Sequence, residues 1–461
     1  MASRYSKITP ELKARILRAV GRESEVAEPE LLEAAATDAT GMVREPELVL
    51  SLKNAAQVSS LLKLANEFSF PVIPRGAGTG LAGGSLADLG GVVICLHEMD
   101  EIIEIDAANL VARVQPGVIL KDLKAAAEKQ GLFYPPDPAS LETCSVGGTV
   151  ATDAGGPACV KYGTTRQYVM GLTCVLPSGE IVECGVATRK GVVGFDLTRL
   201  ICGSEGALGV ITEITLKLIP KPRSVNTQVA VFNDIFKATG AVAAIMAAGV
   251  TPSAVEFIDA KCLELIRDLL PFSGVAGGSA LVIMEADGMP GSVSEEMRVM
   301  SQVVRESGAA HMLPAEDEKT RAEVWDMRRQ VSLRIHESAA VYVPEDVVVP
   351  LNRIAELVDR LPSFEGYYGL TIYAFGHAGD GNVHLNVTAD SPDKVGEVEA
   401  CIGELLEYVL KLGGTISGEH GVGLAKKRFL PLELSDESIR LQREIKRIFD
   451  PNGILNPGKL F

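Results

Sequence analysis

The spacing of apolar positions changes character several times along the chain. Thr9-Pro10-Glu11 is a helix start, with Thr9 as N-cap and Pro10 at the first helical position, so the segment to about Leu32 reads as helical. From Glu47 the pattern becomes strand, helix, strand: VLSL, the amphipathic AAQVSSLLKLANEF, then PVIPRG, which runs directly into a glycine-rich loop. Between Gly91 and Pro220 short β-branched runs dominate, among them GVVICL, IIEID, LVARVQPG, GLTCVLPSG, EIVECG and GVITEITLKLIP. Ser178-Gly179, set between two such runs, is a hairpin signal. LKDLKAAAEKQG reads as a helix ending at Gly131.

Beyond Lys221-Pro222 the composition shifts. From about Arg223 to Leu412 strands such as TQVAVFN, ALVIMEAD, LTIYAFGH and VHLNV alternate with amphipathic helices such as EEMRVMSQVVRESG and the one around Gly403 to Leu412. That layout predicts an α+β domain with helices on one face of an antiparallel sheet. The uncharged run Ala238 to Val255 approaches membrane-span length, yet it holds Gly240, Gly249 and Pro252 and little leucine. A packed alanine-rich helix followed by a turn fits it better than a span. The tail RLQREIKRIFDPNGILNPGKLF reads as a helix stopped at Asp450-Pro451-Asn452-Gly453. Two domains are expected, with the tail returning to the first.

Composition narrows the picture. The length of 461 residues suits two or three folding units, and 47% hydrophobic with 23% charged residues excludes wholesale disorder. A formal charge of -16 argues against nucleic acid or anionic lipid as a partner. Any anionic cofactor must then be held by local backbone donors and specific arginines. The eight cysteines form no CxxC pair, so they read as buried reduced thiols, and an iron–sulfur or zinc-ribbon site is not expected. The N-terminus lacks an apolar h-region, which predicts a cytoplasmic protein without a transmembrane segment.

Three glycine-rich stretches carry candidate chemistry. They run from Pro74 through Arg75, Gly76, Ala77, Gly78, Thr79 and Gly80 to Ser85; from Ser145 through Gly147, Gly148 and Thr152 to Gly155; and from Gly203 through Glu205 and Gly209 to Val210 and Ile211. Glycines this dense let consecutive N–H groups face one concave surface, which suits a diphosphate. Each stretch alone could be a structural turn. Further on, His377 and His384 flank the loop HAGDGNVH, and Ser417-Gly418-Glu419-His420-Gly421 places a carboxylate beside a third histidine. Three of only six histidines fall in these two loops, and such N/O donors suit zinc, manganese or iron. Core histidines are the bland alternative.

These motifs (PRGAGTGLAGGS, SVGGTVATDAGG, GSEGALGVIT, HAGDGNVH, SGEHG and DPNGILNPGKLF) resemble the FAD-linked oxidase family with the vanillyl-alcohol-oxidase, or PCMH-type, fold. The resemblance runs from about Glu47 to Phe461 and is closest to the branch holding the glycolate oxidase FAD subunit, D-lactate dehydrogenase and D-2-hydroxyglutarate dehydrogenase. It implies an α+β protein: a PCMH-type FAD-binding domain of two α/β subdomains over 47–222 and an α+β cap domain with a large antiparallel sheet over 223–415. A helical segment would precede them over 1–46, and 416–461 would return to the FAD domain. It also implies FAD held by the three stretches together with Pro138 and Asn456. The bond should be non-covalent, because no histidine lies between Arg75 and Ser85.

By the same resemblance His377, His384 and Glu419 are metal ligands, His420 is the catalytic base, Arg328 clamps the substrate carboxylate and Asn386 contacts substrate. The implied reaction oxidises a small D-2-hydroxy acid to the 2-keto acid. A divalent metal would assist, the hydride would pass to flavin N5 and the electrons to a partner carrier. That carrier would be an iron–sulfur subunit, an electron-transfer flavoprotein or a quinone-linked protein; a homodimer and peripheral attachment to a membrane complex stay open. No lysine occurs between Lys319 and Lys394, and the segment Val343-Pro344-Glu345-Asp346 disfavours a second substrate carboxylate, which points to D-lactate or glycolate. The competing readings are a D-2-hydroxyglutarate or D-malate dehydrogenase and, from another class, a metal-dependent hydrolase. Only a flavoprotein would purify yellow.

Overall fold

The computed structural model describes residues 4–273, 275–315 and 317–460. Phe461, which closes the last family motif, and residues 1–3 of the expected N-terminal segment lie outside them. The chain forms two compact units, one of residues 1–154, 164–221 and 419–461, the other of residues 155–163 and 222–418.

Among the described residues, the first unit holds a parallel three-stranded sheet in the order Leu48–Ser51, Val92–Cys95, Val72–Arg75. A five-stranded antiparallel sheet runs Ile102–Asp106, Val111–Val114, Val210–Lys217, Val169–Val175, Ile181–Gly185. Thr9 accepts a hydrogen bond from Leu12 N as expected of an N-cap, but the helix Pro10–Val20 does not reach Leu32. Gly21, at φ 98°, leaves helical space and ends it, and a separate helix spans Pro29–Ala36. Ile16 and Val20 join Val58, Leu61 and Leu62 of the helix Ala55–Phe68 in a core built on the parallel sheet. The C-terminal helix Asp436–Phe449 stops at Asp450, whose carboxylate accepts from Ile454 N and Leu455 N. The tail then pairs with the parallel sheet at Val72.

The second unit is built on seven antiparallel strands in the order His311–Ala315, Ser224–Phe232, Ala280–Gly288, Ala254–Ile258, Thr371–His377, Asn382–Ala389, Val341–Val348. Both faces are buried, so helices are not confined to one. Val229, Val231, Ile258, Leu281, Ile283 and Phe375 pack with the helices Ala260–Leu265 and Glu318–Glu337. The alternate residues Ala230, Phe232, Val282 and Met284 are equally buried, and Ile235–Ala247, Pro290–Glu306, Ile354–Tyr368 and Val395–Lys411 supply the second layer. Amphipathic spacing shows that a helix packs, not which face of the sheet receives it. The short segment 155–163, holding Gly155, joins this unit: Lys161 Nζ and the Tyr162 hydroxyl both donate to the buried carboxylate of Asp287.

The alanine-rich run is the helix Ile235–Ala247, capped by Asp234. Among the described residues no helix is long and apolar enough to cross a membrane. All eight cysteines are free thiols, six of them buried, and burial pushes Cys202 up to about 12, which keeps it a thiol at neutral pH.

Candidate active site

Gly155 apart, the three glycine-rich stretches meet within the first unit. A Cβ on Gly76 would stand 2.5 Å from Ser145 Oγ, so only glycine lets the first stretch lie this close to the second. Ser145 caps the short helix Val146–Thr152, accepting from Gly148 N, and Thr152 Oγ1 donates back to the Gly148 carbonyl. The third stretch is tied to the second by Gly203 N to Val150 O (2.9 Å) and Glu205 N to Ala151 O (2.8 Å). Asn456 closes the set: its side-chain amide donates to the carbonyls of Gly84 (2.9 Å) and Glu205 (2.7 Å), and its Oδ1 accepts from Lys459. Burial lowers the Lys459 ammonium to about 8.

Not every predicted cofactor residue faces outward. The Arg75 guanidinium folds beneath Gly78 and donates to Thr37 O (2.7 Å) and Ser85 Oγ (3.2 Å), with burial drawing its pKa down. It therefore props the loop from below. Both carboxylate oxygens of Glu205 are spent on backbone donors, Val422 N at 2.7 Å and Gly423 N at 2.8 Å, which anchors the loop following His420. Pro138 is buried at the start of a turn, and Gly209, Val210 and Ile211 lead into and open the strand Val210–Lys217. Around Gly80 a Cβ would meet nothing, so the rim of the first stretch is open. Close backbone packing below an open glycine rim fits a diphosphate.

Lys124 was missed from the sequence, where it looks like any solvated helix lysine. It donates to the carbonyls of Tyr134 (2.9 Å) and Pro136 (2.7 Å), fixing the proline-rich segment that leads to Pro138. Asn456→Ala removes the ties of two carbonyls and a lysine at once. It is expected to cost about 2–3 kcal/mol of stability and to loosen flavin retention; an unchanged thermal midpoint with full flavin content would refute that role.

The second unit gathers the histidines. His377 ends the strand Thr371–His377 and His384 lies in Asn382–Ala389, joined by a hairpin turn at 378–381. Gly381 sits at φ 84° with the Val349 carbonyl 2.1 Å from where a Cβ would be, so the turn demands glycine there. Alternation puts Asn382, His384 and Asn386 on one face, and the register brings Asp346 opposite His384 and Glu256 opposite His377. His377 Nε2 and His384 Nε2 approach to 3.4 Å. Glu256 Oε1 lies 2.5 Å from His377 Nδ1, and Asp346 Oδ1 lies 3.8 Å from His384 Nδ1. Both carboxylates are fully buried.

His377 is therefore backed by a carboxylate on the ring nitrogen away from its partner, the arrangement that orients ligating imidazoles, while Asp346 Oδ1 stands beyond hydrogen-bond distance from His384 Nδ1. Two nitrogens about 2.0–2.1 Å from one tetrahedral ion stand roughly 3.3 Å apart, which the observed pair matches. Asp346 also accepts from Asn382 Nδ2 and from Gly418 N (2.8 Å); Glu419 and His420 follow next in the chain. Asn386 Nδ2 is a buried donor with no hydrogen-bond partner among the described residues, a costly vacancy that a polar ligand would fill.

Arg328, on the helix Glu318–Glu337, gives Nε (2.7 Å) and Nη2 (2.6 Å) to Glu256 Oε2 and lies 4.6 Å above the Phe375 ring. Burial alone would raise the Glu256 carboxyl, but Arg328 and His377 outweigh it and hold the group at about 2. Glu256 was not singled out from the sequence. The available signal was one charge inside the otherwise apolar, wholly buried strand AVEFI.

Comparison with known proteins identifies the family. Residues 46–185 match the FAD binding domain, and residues 221–460, more than half of the chain, match the FAD linked oxidases, C-terminal domain. The chain belongs to the FAD-linked oxidase family. It is 38% identical to the glycolate oxidase subunit GlcD of Bacillus subtilis (strain 168), over 90% of this chain and 89% of that one. It is 36% identical to the D-lactate dehydrogenase of Anaerostipes hadrus, over 99% and 98%. The fold is shared with 4-ethylphenol oxidase from Gulosibacter chungangensis (TM-score 0.78, 18% identity, 98% of this chain and 97% of that one). It is shared also with p-cresol methylhydroxylase (TM-score 0.77, 17% identity, 98% and 97%). The expected PCMH-type fold is thus present, and this FAD-linked oxidase is an FAD-dependent oxidoreductase. Family membership sets the hydrolase reading aside.

Proposed function

We propose that this FAD-linked oxidase converts a small D-2-hydroxy acid, D-lactate or glycolate, into the 2-keto acid, using a divalent cation and passing electrons to a separate carrier. The observation that carries the metal-assisted reading is the histidine pair, Nε2 to Nε2 at 3.4 Å with the buried Glu256 carboxylate behind the His377 ring. The relatives named glycolate oxidase subunit and D-lactate dehydrogenase support the substrate class.

When bound, FAD takes up the hydride equivalent at N5 and a divalent zinc, manganese or iron ion lowers the pKa of the substrate hydroxyl. His377, His384 and Glu419 are the residues that would hold the ion. His420 removes the hydroxyl proton as general base, from a loop pinned by Glu205 through Val422 and Gly423. Arg328 has committed Nε and Nη2 to Glu256, so the Nη1 end of its fork is what it offers a substrate carboxylate. Asn386 supplies its buried amide donor to the same ligand. Asp346 brings negative charge to the face that carries His384, which disfavours a second carboxylate on the substrate.

No CxxC pair occurs among the eight cysteines, which supports a cytoplasmic enzyme that uses a separate iron–sulfur, flavoprotein or quinone-linked carrier. Dye-linked turnover with D-lactate, L-lactate, glycolate and D-2-hydroxyglutarate tests the reading. Preference for a D-monocarboxylate or glycolate is expected. Preference for D-2-hydroxyglutarate would favour the dicarboxylate reading instead.

A further inference from the structure

Glu256 holds two functional side chains with one carboxylate. Its Oε1 takes His377 Nδ1 at 2.5 Å, while Oε2 takes Arg328 Nε at 2.7 Å and Nη2 at 2.6 Å. The residue is fully buried in the strand Ala254–Ile258, directly opposite His377 in the register. An isolated carboxylate there would protonate rather than stay charged. Arg328 supplies a full positive charge beside this carboxylate, and the Oε1–Nδ1 contact suits a His377 ring donating from Nδ1. Nε2 is then the lone-pair nitrogen, and it is the atom 3.4 Å from His384 Nε2. On the other oxygen, the two donors Nε and Nη2 converge side-on and set the plane of the Arg328 guanidinium, and Phe375 supports it from one side at 4.6 Å.

We infer that Glu256 is a positioning residue shared by the cation site and the substrate-carboxylate anchor: it fixes the Nδ1-protonated tautomer of His377 and the orientation of Arg328 together. It touches neither substrate nor cofactor and acts through those two side chains. A lone orienting carboxylate for His377 would need no arginine, and a lone structural ion pair for Arg328 would need no histidine. The inference rests on the metal-assisted reading proposed above.

Glu256→Gln keeps the shape but removes the charge, and its single amide oxygen cannot serve both partners. Purified, flavin-loaded protein is stripped of metal and titrated with Co²⁺ against a competing chelator, following the cobalt absorption bands. The variant is expected to bind Co²⁺ about 10–100-fold more weakly than the parent. Its apparent KM for D-lactate should rise on restoring saturating metal, while flavin content and far-UV circular dichroism stay unchanged. A purely structural role would not shift Co²⁺ affinity in a protein that keeps its fold and flavin.

Equal Co²⁺ affinity in the folded variant and its parent overturns the inference alone. Failure of the parent itself to bind Co²⁺ or Zn²⁺ overturns the metal reading beneath it. Should the variant not fold, long-range ¹⁵N–¹H spectra of ¹⁵N-histidine-labelled parent protein decide the matter, with His377 assigned by its loss in His377→Gln. A ring protonated on Nδ1 supports the inference, and one protonated on Nε2 refutes it.

Discussion

Removing the divalent cation, or replacing His384 by alanine, should abolish hydroxy-acid oxidation while leaving a folded, yellow protein. An alcohol holds its proton far above neutral pH, and a cation bound at its oxygen supplies several kcal/mol toward losing it. At 1.36 kcal/mol for each tenfold change in rate, that corresponds to on the order of 10³-fold or more. His384 lies on the hairpin of the seven-stranded sheet, whereas the glycine-rich stretches and Asn456 are bound to one another independently of it. Metal content, flavin absorbance and dye-linked turnover measured on one sample check the expectation. Full activity in verified metal-free protein would remove the cation from the mechanism.

His420→Ala should retain FAD and slow flavin reduction by about 10²-fold or more, the usual contribution of a well-placed general base. The loop beyond His420 is fixed by Glu205 through Val422 N and Gly423 N and by Leu424 N to Ala82 O (2.7 Å), none of which uses the imidazole. Loss of the ring thus removes a proton acceptor without releasing the loop. Stopped-flow reduction under anaerobic conditions reads the rate, and an unaltered value would take the base role from His420.

Features decided by near neighbours were legible in the sequence. Thr9 and Pro10 announce their helix because capping and a fixed proline φ are settled within four residues. The glycine-rich stretches and the histidine hairpin could be read for the same reason. What escaped depends on residues far apart in the chain. That two of the Arg328 donors are taken by Glu256, 72 positions earlier, could not be read from the sequence. Nor could the partners of the Glu205 carboxylate, Val422 and Gly423, which lie more than 200 positions on. The helix predicted to run to Leu32 fails for a local reason that was visible: Gly21 sits where the chain turns through positive φ.

The most direct measurement is an anaerobic absorbance titration of the purified, metal-replete protein with D-lactate, L-lactate, glycolate and D-2-hydroxyglutarate in turn. D-lactate or glycolate is expected to bleach the flavin band, L-lactate is expected to leave it unchanged, and chelation is expected to prevent the bleaching. Bleaching by D-2-hydroxyglutarate in place of the monocarboxylates would contradict the proposed substrate class, and a flavin that no D-2-hydroxy acid reduces would contradict the proposed reaction itself.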